Sequence, residues 1–232
     1  MVGVTAQRLG WYAWGGGIVY VVALVAETVI SVGVKASQND SAAKIATNVH
    51  DHHQRLIVVA CISIVLAIGF VIYLTRLYDL LRERSQNRLL LSWVLIGGVL
   101  FVTLHGVSDI GITGLLGAKV GLAAYSAAHD PGLSYALYLL TFALDSVGDV
   151  FASLFVLAVG LLVHTSRVLP RWVAWLAILV SPFFFLQGFG LGGVIGSFGL
   201  VLDLIGFLLF LIFVLVSSVM LLMRRDTLLA RT

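Results

Sequence analysis

The sequence predicts an all-α, polytopic transmembrane bundle of about six helices. Hydrophobic residues make up 60% of the 232 residues and charged residues only 11%, whereas soluble domains carry about 25% charged residues. A chain this apolar has too little polar surface to cover a water-soluble fold, so we expect lipid to be its main solvent. The apolar runs are continuous, which excludes the alternating strands of a spanning β-barrel.

Six apolar segments are long enough to cross a hydrocarbon core of about 30 Å, which needs roughly 20 helical residues. Their predicted bounds are residues 11–34, 56–78, 89–114, 135–163, 172–193 and 198–223. The connections are polar or contain Pro and Gly, as turns do. Because no linker is long enough to divide the chain, residues 1–232 are expected to form a single transmembrane domain.

Basic residues predict the orientation of the bundle, because cytoplasmic loops are enriched in Lys and Arg. One set of helix ends holds ten of them: Arg8, Arg76, Arg82, Arg84, Arg88, Arg167, Arg171, Arg224, Arg225 and Arg231. The opposite set holds four: Lys35, Lys44, Arg55 and Lys119. We therefore expect a bacterial inner-membrane protein with both termini in the cytoplasm. The net charge of +3 is explained by these short loops, so no nucleic-acid partner is expected.

Ionisable residues within the predicted spans are the candidate site. They are Glu27, His105, Asp109, Asp145, Asp149 and Asp203. A charge near the bilayer centre costs roughly 2.5–3.5 kcal/mol on insertion scales, so such residues are expected to be paired, protonated or facing a water-filled cavity. Counted along the helices at about 1.5 Å per residue, all six fall in the half of the bilayer away from the cytoplasm. They predict a polar pocket open to the outside that binds a cation or small molecule.

Two spacings refine this prediction. His105 and Asp109 are four residues apart, as are Asp145 and Asp149, so each pair is expected to share one helix face. Two carboxylates stacked in a medium of low dielectric constant cannot both ionise cheaply. Asp145 and Asp149 must therefore share a proton, bind a cation or meet a base. The alternative is structural, because His105 with Asp109 can also serve as hydrogen-bonded glue between helices.

A second candidate is the histidine-rich stretch NVHDHHQR, which precedes the second predicted helix. His50, His52 and His53 supply imidazoles, and imidazole with carboxylate is a ligand set for zinc and similar divalent metals. The spacing matches no closed zinc motif, so a solvated loop entering a helix is the competing interpretation. A divalent-metal cofactor is therefore kept as an alternative.

Three stretches together resemble an uncharacterised bacterial family of six-helix membrane proteins, a domain of unknown function. They are YVVALVAETV, SAAKIATNVHDHHQRL and SRVLPRWVAWLAIL. The resemblance rests on an acid late in the first helix, here Glu27, and on an entry to the fifth helix matched by Ser166, Leu169, Pro170 and Arg171. It implies the fold and the topology of most of the chain, and it implies no activity.

Three functions follow from these observations. The first is binding of a cation, proton or small molecule in the acidic pocket, with transport as its extension. No inverted repeat is evident along the chain, which argues against transport. The second is an intramembrane metal-dependent hydrolase, in which zinc held by His and Asp activates water; only His105 lies within a span. The third is a structural or accessory subunit without a site.

Overall fold

The computed structural model describes residues 15–34, 40–118, 131–189 and 197–229, and every regular element in these ranges is helical. The elements are α1 (Gly16–Ser31), α2 (Ala42–Asp51), α3 (His53–Arg84), α4 (Arg88–Gly106), a π-helical segment (Val107–Thr113), α5 (Gly114–Ala118), α6 (Pro131–Ser166), α7 (Arg171–Gly188) and α8 (Ser197–Leu229). The π-helical segment continues α4 directly into α5. The prediction of a polytopic helical bundle is confirmed.

Five helical segments in the described ranges are long and apolar enough to cross a membrane. They are His53–Arg84, Arg88–Thr113, Pro131–Ser166, Arg171–Gly188 and Leu204–Met223. The shorter apolar helix α1 stands where the first span was predicted at 11–34, and residues 11–14 lie outside the described ranges. Valines on the outer face of α1 are largely exposed, as Val29 is at 67%. Such a surface requires a lipid bilayer, so this is a multi-pass membrane protein.

The charged connection predicted at 79–88 is mostly helical, because α3 runs on to Arg84 and α4 begins at Arg88. Leu77, Leu80 and Leu81 are all buried and lie on one helix face. Because these leucines pack into the core, α3 continues past its predicted end at residue 78. The charged side chains that follow face outward. The charged residues after Asp79 predicted a loop. This prediction is wrong, because those residues form the polar face at the end of α3.

The long polar connection predicted at 35–55 contains the amphipathic helix α2. Ser41 caps it by accepting a hydrogen bond from the Lys44 N–H at 3.3 Å. Ile45 and Val49, one turn apart, are buried together with Leu56 and Tyr138 in a small satellite core. α2 is thereby packed against the ends of α3 and α6, and the Asn48 side-chain amide also donates to the backbone carbonyl of Val34.

The transmembrane helices approach closely where glycine removes a side chain. A Cβ at Gly97 of α4 would lie 2.9 Å from both the Phe151 carbonyl oxygen and the Phe155 amide nitrogen of α6. A Cβ at Gly69 of α3 would lie 2.9 Å from the Tyr20 amide nitrogen of α1. Small residues at such crossings let helices pack through backbone contacts, as is usual in membranes. These crossings fix α4 on α6 and α1 on α3.

An aromatic layer crosses the middle of the bundle. Phe70, Phe101, Phe155 and Phe210 are buried, and the ring centroids of Phe70 and Phe101 are 5.1 Å apart. Beyond it, towards the end of the bundle that carries the arginines, the helices pack through buried leucines and valines. This end, called the dry end below, is packed mainly by apolar side chains, whereas the ionisable residues of the spans lie on the other side of the aromatic layer.

A hydrogen bond joins α3 to α8 at the dry end of the bundle. The Ser217 hydroxyl donates to its own helix at the Phe213 carbonyl, 2.7 Å away, so the Tyr73 hydroxyl donates to Ser217 Oγ at 2.8 Å. We expect Tyr73→Phe to lower the free energy of unfolding by about 0.6 kcal/mol, the average for such bonds in membranes. Unfolding in mixed micelles measures this, with Tyr78→Phe on the same helix as the control; equal losses for both variants would contradict it.

Candidate acidic cavity

A cavity of about 220 Å³ lies between α1, α3, α4 with its π-helical continuation, α6 and α8. Its polar lining consists of Glu27, Thr28, Ser31, Ser63, His105, Asp109 and Asp145. Its aromatic and apolar lining consists of Tyr20, Leu24, Leu66, Ala67, Phe101, Val102, Gly106 and Phe207. The cavity is smaller than the roughly 300–1,000 Å³ pockets that take drug-sized ligands, so it suits a small one.

Four of the six predicted site residues line this cavity: Glu27, His105, Asp109 and Asp145. Asp149 is outside the lining, but its Oδ1 lies 3.5 Å from Nε2 of His105. Asp203 falls on α8, and its side chain lies outside the described residues. Three carboxyl groups from α1, the π-helical segment and α6 thus border one space, and no lysine or arginine is among the lining residues described.

The orientation of His105 is set from three sides. Its Nδ1 donates to the Phe101 carbonyl at 3.1 Å, because a carbonyl oxygen can only accept. Its ring packs on that of Phe101 with centroids 4.6 Å apart. Nε2 consequently points to Asp149, and a Cβ at Gly148 would lie only 2.5 Å from the ring. The glycine in α6 therefore provides the space in which the imidazole sits.

Asp109 lies in the π-helical segment Val107–Thr113, directly after the α-helical turn that carries His105. The wider π turn breaks the regular spacing of α4, and such segments are frequent at functional sites. Ser108 in the same segment is fully buried and donates to the Thr141 carbonyl of α6 at 3.4 Å. His105 lies on the α-helix and Asp109 in the π-helical segment, so their four-residue spacing is not that of one regular helix. Both residues nevertheless line the cavity.

The aspartates of α6 have different surroundings. Asp145 lines the cavity, whereas Asp149 faces the imidazole of His105. Of the three outcomes that the sequence left open for this pair, meeting a base is the one seen for Asp149. Its side chain keeps 18% of its exposure and that of His105 keeps 26%, so the ion pair is only partly screened from water.

Two short segments that carry much of the site resemble each other in sequence, a similarity that the sequence analysis did not use. Residues 104–110 read LHGVSDI and residues 144–150 read LDSVGDV. The ten positions 101–110 have the same burial classes, one by one, as 141–150. The two segments run antiparallel, since Gly97 meets Phe155 while Ser108 meets Thr141. A similarity of seven residues within two neighbouring helices is not an inverted repeat of whole helices, so the expectation that none is evident along the chain stays a prediction.

Several lining residues were also missed, and helical periodicity could have revealed them. Tyr20, Leu24, Glu27, Thr28 and Ser31 all lie on one face of α1 and all line the cavity. Charges stand out in a membrane span because they are expensive there, whereas hydroxyls and rings on the same helix face do not. Ser63 of α3 is the least visible of them, since it is an isolated serine in an apolar run.

The histidine-rich stretch lies elsewhere, at the junction of α2 and α3. His52 Nδ1 is 3.1 Å from the Asn48 carbonyl, and His53 Nδ1 is 2.9 Å from the His50 carbonyl. Both imidazoles thus bond to nearby backbone oxygens. In the part of the chain that the structure describes, no group of three or more His, Cys, Asp or Glu side chains is arranged to hold a metal ion.

Comparison with known proteins identifies a family for this chain, but it does not identify an activity. No curated protein and no solved structure is significantly similar to this chain. The profile of the family described as "Domain of unknown function (DUF4386)" matches residues 9–224. The match spans nearly the whole chain and agrees with the resemblance found in the sequence. This protein therefore belongs to the DUF4386 family of membrane proteins, whose function is unknown.

Proposed function

We propose that this protein binds a small cation in the acidic cavity. The single observation that carries the proposal is the presence of Glu27, Asp109 and Asp145, from three separate helical segments, on the walls of one space. Each acid is costly in the hydrocarbon region, and together they outnumber the one imidazole that lines the same space. A cation that enters the cavity offsets this cost, because it neutralises acids that lipid cannot solvate.

The direction of access follows from the basic helix ends. Arg84, Arg88, Arg167 and Arg171 lie at the ends of α3, α4, α6 and α7, at one end of the bundle. By the enrichment of basic residues in cytoplasmic loops, this end faces the cytoplasm of a bacterial cell, with both chain termini on the same side. The cavity then lies in the outer half of the inner membrane, and the dry core separates it from the cytoplasm.

Transport is the natural extension of such a site. No inverted repeat of whole helices is evident along the chain, which argues against it. Transport requires a second conformation in which the aromatic layer around Phe70 and Phe101 opens towards the arginine end. A metal-dependent hydrolase has no comparable support from the described residues. In an accessory subunit, His105 and the acids would serve as hydrogen-bonded glue between helices.

Cation binding is tested by thermal unfolding of the purified protein in mild detergent. Chlorides of sodium, potassium, magnesium, calcium, ammonium and small alkylammonium ions are compared at constant ionic strength. We expect at least one cation to raise the unfolding midpoint by several degrees, since a ligand at 100 times its Kd stabilises by about 2.7 kcal/mol.

Asp145→Asn should abolish this stabilisation, because it removes a cavity carboxylate while keeping the side-chain shape. The matched control is Asp79→Asn, which removes an exposed carboxylate at the opposite end of the bundle. If no cation stabilises the protein, or if Asp145→Asn responds like the unsubstituted chain, the proposal fails. Metal that copurifies in stoichiometric amount and is lost on His105→Ala would favour the hydrolase instead.

A further inference from the structure

The end of the bundle that carries the arginines has a purely basic patch at the junction of α6 and α7. Arg167 is the first residue beyond α6, and Arg171 is the first residue of α7. Both side chains are exposed, and residues 164–175 include no acid. In the part of the chain that the structure describes, neither guanidinium forms an ion pair. The junction therefore presents two positive charges to whatever lies beside it.

The basic residues at the end of α3 have different neighbours. Arg76 lies 4.0 Å from Asp79, and Glu83 stands between Arg82 and Arg84 in the sequence. Carboxylates are thus interspersed among these arginines, and an anion that approaches them is repelled as well as attracted. The end of α3 lies at the same end of the bundle as the α6–α7 junction, so it provides a matched surface on which general charge and a specific site can be compared.

The backbone of the junction is fixed, and it holds Arg167 in an unusual conformation. The φ angle of Arg167 is 54°, in the left-handed region, and its N–H donates to the Val163 carbonyl at 2.9 Å. Glycine is the usual residue just beyond a helix in this conformation, because other residues are strained there. The next two residues, Val168 and Leu169, are buried and anchor the turn. An arginine in a position that glycine would occupy without strain indicates a use for its side chain.

An exposed stripe on α7 continues from the basic patch into the membrane. Arg171, Trp175 and Leu179 are spaced by four residues and lie on one helix face. Trp172 and Trp175 are 51% and 59% exposed, and Leu179 is 52% exposed. The apolar span of α7 begins at Arg171, and Trp175 lies about 6 Å deeper at 1.5 Å per residue. The stripe thus runs from a charge through indole rings to an aliphatic side chain, as a phospholipid runs from its phosphate through the interface to its acyl chains.

We propose that the α6–α7 junction binds one anionic phospholipid, with its phosphate between Arg167 and Arg171 and an acyl chain along Trp175 and Leu179. The two arginine Cα atoms are at most about 14 Å apart, the length of four extended residues, so two long side chains can meet on one headgroup. Guanidinium groups bind phosphate through paired hydrogen bonds. With the orientation proposed above, this lipid belongs to the cytoplasmic leaflet. The inference is independent of the cation site in the cavity.

Native mass spectrometry of the delipidated protein in a neutral detergent tests the proposal, because it counts bound lipids. The probes are phosphatidylglycerol, phosphatidylcholine with the same acyl chains, and glycerophosphoglycerol as the anionic headgroup alone. We expect the first phosphatidylglycerol to bind at least about tenfold more tightly than phosphatidylcholine, since each arginine near the membrane surface contributes about fivefold. The free headgroup should bind at least about a hundredfold more weakly, because each buried methylene contributes about fourfold.

Two results of this titration would overturn the proposal. Equal binding of the two lipids would mean that the arginines do not select an anionic phospholipid, and would leave an acidic segment of another protein as their partner. Binding of glycerophosphoglycerol as tight as that of phosphatidylglycerol would mean that the junction recognises a soluble anion.

Arg167→Gly is the decisive variant, because its expected effects on folding and on lipid binding are opposite. Glycine relieves the left-handed backbone, so the unfolding midpoint in neutral detergent should rise by about 2–4 °C. Loss of the guanidinium should weaken binding of phosphatidylglycerol by about fivefold. Unchanged lipid binding would overturn the proposal. Weaker binding together with a lower midpoint would also overturn it, because the turn itself would then be disturbed.

Arg171→Gln and Arg82→Gln separate a specific site from general attraction. Each variant removes one exposed positive charge from the same end of the bundle. We expect Arg171→Gln to weaken binding of the first phosphatidylglycerol by about fivefold, and Arg82→Gln to leave it within twofold of the unsubstituted chain. Equal losses in the two variants would show that net charge alone attracts the lipid, and the site at the α6–α7 junction would be wrong.

Discussion

Gly97→Ala is expected to lower the free energy of unfolding by about 1–3 kcal/mol, the usual cost of overpacking. The added methyl group would lie 2.9 Å from the Phe151 oxygen and the Phe155 nitrogen, both backbone atoms of α6. A flexible side chain could turn away, but a helix backbone can only be displaced as a whole. Because α4 with its π-helical continuation and α6 together carry four of the five ionisable residues at the described site, the same displacement should also disturb the cavity.

The matched control for this prediction is Gly106→Ala on the same helix, where the nearest atom to an added Cβ is the end of the Ile110 side chain at 3.9 Å. Alanine is favoured over glycine in a helix by about 1 kcal/mol, so this variant should be neutral or stabilising. Unfolding in mixed micelles of mild detergent and sodium dodecyl sulfate compares the two. If both variants are stabilising, the close approach of α4 to α6 is not a tight constraint in solution.

The fold could be predicted because membranes impose one rule on every span. Apolar length and the position of charges sufficed to place the helices, since lipid cannot solvate an unpaired backbone. The errors occurred where that rule does not apply. The end of α3 beyond Asp79 and the helix α2 lie in charged or mixed sequence, and there the burial of Leu80 and Ile45 decides the structure. Burial depends on neighbours distant in sequence, and no local pattern specifies them.

The site was predictable in composition but only partly in arrangement. The cost of placing an acid in hydrocarbon identified Glu27, Asp109 and Asp145, and all three line the cavity. Their roles depend on packing between helices. Asp145 and Asp149 share a helix face in sequence, yet one borders the cavity and the other contacts His105. Such a division requires the register of two helices, which only the structure provides.

Gly148→Ala is expected to weaken cation binding by about tenfold or more while the protein still folds. The methyl group would lie 2.5 Å from the His105 ring, so the ring must move by about 1 Å to reach ordinary van der Waals separation. A side chain can make this movement at little cost in stability. The movement changes the position of the ring on the cavity wall, where an imidazolium opposes a bound cation, and one charge-assisted contact of the cation that is lost in this way is worth about tenfold. The shift in unfolding midpoint with the cation that stabilises the unsubstituted protein measures the effect, and Gly111→Ala is the control because nothing lies within 4 Å of its Cβ.

A double-mutant cycle separates this mechanism from general distortion of α6. In a His105→Ala background, the next-nearest atom to the added methyl group at Gly148 is the Leu104 Cβ at 3.5 Å, an ordinary contact. Gly148→Ala should then have little further effect, so the two substitutions should be strongly non-additive. If Gly148→Ala weakens binding equally in both backgrounds, it acts through the helix backbone, and His105 does not transmit it. Non-additivity would instead show that Gly148 affects cation binding through the position of the His105 imidazole.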